Sequence, residues 1–72
     1  MEALSPEERS LLAEAVGSRR KKEDLEKSLG RVLRRKEVGF DLYVSIMGKV
    51  RDEARRKKIT KDQAAKALTA EG

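Results

Sequence analysis

The chain has 72 residues, 43% of them charged, with a formal net charge of +5 and neither Cys nor His. Those two absences exclude a disulfide framework and a zinc-finger pattern, and they remove the commonest general base and the best nucleophile. A chain this short also has little room for a concave pocket, so catalysis, a cofactor, a metal and a small-molecule substrate are not expected.

Aromatic residues are limited to Phe40 and Tyr43, and the mean hydropathy is −0.74. Such a composition raises the prospect of disorder, which the apolar periodicity below argues against. Asn is absent and Gln occurs once, as Gln63. Few thermolabile residues among many Lys, Arg and Glu is a thermophile-like composition. The length is near the lower limit for a self-sufficient apolar core, so close helix packing, self-association or both are expected. Charge is unevenly placed: residues 1–16 carry a net −3 and residues 17–72 a net +8. A basic body favours anionic partners. No apolar run approaches the ~20 residues that span a bilayer, and no apolar signal-peptide core follows Met1. A cytoplasmic protein with no membrane partner is expected.

The first helix is expected over about 6–16. "LSPEE" places Ser5 as N-cap, Pro6 at the first helical position and Glu8 to complete a capping box. Leu11, Leu12, Ala15 and Val16 form one apolar face, and Gly17 is a fitting stop.

"RRKK" at 19–22 opens the second helix, expected over about 21–37. Leu25, Leu29, Val32 and Leu33 follow the helical template. Lys27, Arg31, Arg34 and Arg35 share the opposite face, where only Asp24 offers compensation. The related blocks "RRKE" at 34–37 and "RRKK" at 55–58 fall in last helical turns, where positive charge complements the helix dipole and needs no partner. Arg19, Arg20, Lys21 and Lys22 instead oppose the dipole of the second helix, and so point to a role other than stability.

"VGFDLYVSI", 38–46, alternates like a strand, with Val38, Phe40, Leu42, Val44 and Ile46 on one side. Leu42, Tyr43, Ile46, Met47, Val50 and Ala54 also fill one arc of a helical wheel. The helical pattern uses more residues, so the third helix is expected over about 42–57 with Asp41 as N-cap. Asp52 with Arg56, and Glu53 with Lys57, are spaced for surface pairs. Arg51, Arg55 and Lys58 share a face with little compensation.

"ITKDQ" begins a fourth helix, expected over about 61–69. Thr60 and Gln63 are spaced for a capping box, and Ile59 and Ala64 for a hydrophobic staple. Ala64, Ala65 and Leu68 give it a modest apolar face.

Neither a phosphate-binding GxxxxGK[ST] loop nor an EF-hand pattern is present. "ITKDQAAKAL" resembles the first helix of a helix-turn-helix domain. With "TAEG" following Leu68, no recognition helix is expected in these residues. Residues 38–70 resemble a ribbon-helix-helix repressor, with a strand, a helix, a turn and a helix. That resemblance implies base reading by the outward strand residues Gly39, Asp41, Tyr43 and Ser45.

The expected architecture is all-α, a single domain over 1–72. It is a small bundle of three main helices plus a short C-terminal one, the second and third forming an antiparallel hairpin through 37–41. The expected function is a non-catalytic module contacting DNA or RNA phosphates, with little sequence specificity. The candidate contacts are Arg19, Arg20, Lys21, Lys22, Lys27, Arg31, Arg34, Arg35, Arg51, Arg55 and Lys58. The alternative is a protein-interaction module, a homodimer or a subunit of an assembly, using Phe40, Tyr43, Val44 and Met47.

Overall fold

A computed structural model describes residues 4–70. They form four helices: α1 (Pro6–Gly17), α2 (Leu25–Arg35), α3 (Phe40–Lys57) and α4 (Lys61–Ala70), and there is no strand among the described residues.

The start of α1 follows its capping box. Glu8 N–H donates to Ser5 Oγ at 3.2 Å, and Ser5 N–H donates to Glu8 Oε1 at 2.9 Å. Two of the orphan N–H groups at the helix start are thereby satisfied. The α4 start repeats the device with Thr60 and Gln63, through bonds of 3.0 and 3.1 Å.

The second helix begins at Leu25, the first residue of its apolar pattern, and not at about 21, and it ends at Arg35. Asp24 is its N-cap, accepting from Lys27 N–H at 2.8 Å, so 18–24 is a connection and not helix. The block at 19–22 therefore does not sit on the N-terminal turn of α2. A capping carboxylate directly ahead of Leu25 outweighs the helix propensity of Arg and Lys upstream. The third helix, in turn, begins earlier. Gly39 is its N-cap, without a side-chain cap bond, and Asp41 lies inside the first turn. An acid there still suits the positive end of the dipole. The helical arc thus governs 40–57, and the strand that a ribbon-helix-helix arrangement requires is not formed over 38–46.

The turn between α2 and α3 is a Schellman motif. Val38 N–H donates to the Leu33 carbonyl at 3.2 Å and Glu37 N–H to the Arg34 carbonyl at 3.1 Å. Glu37 takes the left-handed conformation with φ 57°, a position that favours Gly. Val38 then packs against the core. Lys58, at φ 55°, ends α3 in the same region, and Ile59 N–H reaches the Ala54 carbonyl at 3.0 Å.

Helix α1 packs against each of the other three, α4 also packs on α3, and α2 touches α3. The core is drawn from all four helices. Leu12, Leu25, Leu29, Val32, Ile46, Met47 and Val50 are fully buried, and Ala64 and Ala65 let α4 approach closely. The radius of gyration is 11.1 Å, matching the ~11 Å expected of a folded chain of this length.

The charge asymmetry of the sequence is partly consumed inside this arrangement. Acidic α1 lies between basic helices. Glu8 pairs with Lys49 of α3 at 2.7 Å, and Glu14 pairs with Arg35 at 3.0 Å and Lys36 at 3.5 Å. No described helix is long and apolar enough to cross a membrane.

Candidate nucleic-acid interface

The basic side chains separate into those held by carboxylates and those left open. Arg19 pairs with Asp62 at the start of α4. The 19–22 block is thus partly a strut between the first connection and α4. Arg31 donates to Glu23 at 2.9 Å and to the Ser18 carbonyl at 2.9 Å. The Arg31 guanidinium and the Arg20 main-chain N–H hold Glu23 down to about 2, and Glu23 raises Arg31 above its ordinary range.

This position of Arg31 also serves α1, which has no basic residue in its last turn. Arg31 brings a cation to the negative end of the α1 dipole from another helix. Ser28, fully buried, donates to the Ala15 carbonyl at 2.6 Å, satisfying an acceptor in the same last turn. The end of α1 is therefore capped by side chains of α2.

Further down the chain, Glu53 is only 6% exposed. It is held below the usual carboxylate range first by Lys57, at 2.7 Å, and also by Arg56. Arg55 lies 3.9 Å from Asp52, with both side chains almost fully exposed. Asp52 thus faces Arg55 and not the Arg56 that the spacing suggested; Glu53 takes Arg56. A pair this long and this exposed contributes little. Lys61 reaches across to Glu26 of α2 at 2.8 Å.

Arg20, Lys21, Lys22, Lys27, Arg34, Arg51 and Lys58 are exposed and have no side-chain ion pair among the described residues. Lys27 and Arg34 line a groove of about 620 Å³ between α2 and the start of α3, with Arg31 between them. Phe40 and Tyr43 form its other side, their rings stacked at a centroid distance of 5.3 Å and 17° between planes. Phe40 is 72% exposed and Val44 57%. Helical spacing carries this exposed α3 face on to Arg51 and Arg55. Met47, in contrast, is 1% exposed. It does not belong to an apolar surface, because its register turns it inward beside Ile46 and Val50.

The fold thus brings Lys27, Arg31 and Arg34 of α2 together with Phe40 and Tyr43 of α3 across the connecting turn. Arg19 and Arg35 are directed to carboxylates instead. Glu23 and Glu14, which decide which cations are open, carry no local signal, since their partners lie on other elements. No group of His, Cys, Asp and Glu side chains suited to a metal ion is present among the described residues. No protein family, curated protein or solved structure matches this chain.

Proposed function

We propose that the protein is a non-catalytic module of the cytoplasm that binds nucleic acid through its phosphates. In this reading the chain is a single domain, and α2 and α3 run as an antiparallel hairpin presenting Lys27 and Arg34. The observation that carries it is the set of exposed cations with no ion pair among the described residues: Arg20, Lys21 and Lys22 in the connection, and Lys27 and Arg34 on α2. Arg31 joins the two groups, because it lies on the α2 face and bonds to Ser18 and Glu23 at the ends of the connection. Like charges left close together on a small domain repel, and phosphates remove that repulsion while releasing counterions.

Titration against duplex DNA and structured RNA at several salt concentrations tests this. Four to five neutralised phosphates give a slope of log K against log salt of roughly −4 on duplex DNA. No binding even at low salt overturns the reading.

Exposed Phe40 and Val44, one turn apart, favour a second reading, a protein-interaction surface or homodimer. Sedimentation over a wide concentration range separates the two. A dimer abolished by Val44→Glu supports the protein-interaction reading, and a monomer at all concentrations removes the homodimer.

A further inference from the structure

We infer that the α2–α3 groove takes an unpaired nucleotide of a single strand, with its base stacked on Phe40 and its phosphates against Lys27 and Arg34. This rests on the phosphate-binding reading and narrows it to single strands.

Phe40 is the first observation. A phenyl ring 72% exposed is unusual in a chain with so few large apolar residues. One of its faces is covered. Tyr43 stacks on it nearly parallel and itself packs against the core. A ring backed by a second ring and otherwise open to water is a stacking platform, since every base has a π-face to lay on it.

Charge is the second. Lys27 and Arg34 line the same groove with no ion pair among the described residues, and Arg31 is locked on its wall by Glu23 and Ser18. Glu26 is the carboxylate on this lining, and Lys61 takes its charge at 2.8 Å. The groove is therefore basic beside an aromatic ring. Its volume of about 620 Å³ lies within the range of small-ligand sites.

Gly30 is the third. It sits in the middle of α2 on the groove lining, where a Cβ would meet nothing within 4 Å. The α2 backbone is therefore open to the groove at this point.

These features select among occupants. A duplex hides its base faces, so Phe40 has nothing to stack on unless the duplex opens. A second copy docked about a two-fold axis through this groove would bring Lys27 and Arg34 toward the same cations of its twin. Phosphates reverse that sign.

The test uses fluorescence anisotropy with three probes: a short oligothymidylate, an abasic strand with the same number of phosphates, and a duplex. Wild type is expected to bind the oligothymidylate about tenfold tighter than the abasic strand. Phe40→Ala is expected to erase that margin while the variant stays folded and still binds duplex in a salt-dependent way, with a small loss of melting temperature from the lost Tyr43 stack. Lys27→Ala with Arg34→Ala is expected to weaken binding to all three. Equal affinity for the oligothymidylate and the abasic strand, or an unaffected Phe40→Ala variant, overturns the stacking site; salt-dependent duplex binding would then leave the phosphate reading standing. Absence of binding to every probe overturns both. A nucleic-acid-free dimer dissociated by Phe40→Ala assigns the groove to a second copy and also overturns the inference.

Discussion

Glu8, in the first turn of α1, accepts a hydrogen bond from the Lys49 ammonium of α3 at 2.7 Å, and Ser45 Oγ donates to the same carboxylate at 2.5 Å. The residue that completes the α1 capping box is thus also the tie between α1 and α3, and it is 4% exposed.

The protonation of Glu8 is accordingly linked to folding. Burial pushes its pKa up, but Lys49, Ser45 and the Ser5 N–H outweigh that and hold it down to about 2. An unfolded Glu titrates near 4.3. Because the folded value is the lower, the stabilisation is fully present above pH ~4.3 and is lost as pH falls toward 2. It amounts to about 2 to 3 kcal/mol. Glu8→Gln is expected to lower the melting temperature at pH 7, and the gap from wild type is expected to narrow between pH 4 and 2. A gap independent of pH over that range would show that the Glu8 charge is not what stabilises.

Ser28→Ala is expected to destabilise the protein by about 1 to 3 kcal/mol, because the Ala15 carbonyl loses its 2.6 Å donor inside the core. Chemical denaturation measures this. A loss below about 0.5 kcal/mol would mean that the carbonyl finds another partner.

Glu37→Gly is expected to stabilise by about 0.5 to 1 kcal/mol, although it removes a side chain. Glu37 sits at φ 57°, where Gly has no Cβ to place against the carbonyl. Glu37→Ala keeps the Cβ and is expected to give no such gain. Equal stabilities for the two variants would locate the effect in the Glu37 charge and not in the backbone.

Lys21→Glu with Lys22→Glu is expected to weaken nucleic-acid binding without lowering the melting temperature, since both are exposed and neither has an ion pair among the described residues. Arg19→Glu is expected to behave differently. It opposes Asp62 and severs the strut to α4, so it should cost about 0.2 to 1 kcal/mol in stability as well. Paired measurements of affinity and melting temperature separate the two. Undiminished binding by the Lys21/Lys22 variant would remove that block from the interface.

Sequence alone determined what is set over three or four neighbouring residues. Ser5 with Glu8, and Thr60 with Gln63, read as helix starts because a capping box needs only that spacing. The arc from Leu42 to Ala54 read as helix and not strand because its apolar residues repeat at the helical period over more positions. The start of α2 is not legible in the same way, since the Lys and Arg ahead of Asp24 are also good helix formers and propensity does not mark where a cap wins. Tertiary structure alone decided which cations are open. Lys27, Arg31, Arg34 and Arg35 look alike along the chain, yet Glu23 takes Arg31 and Glu14 takes Arg35. Those pairings depend on how α1 and the 18–24 connection lie against α2. The same holds for Phe40 and Met47, both apolar and near each other in sequence. The rotation of α3 against its neighbours buries one and leaves the other in solvent, because the register of a helix on a core is fixed by the sum of its contacts and not by any one residue.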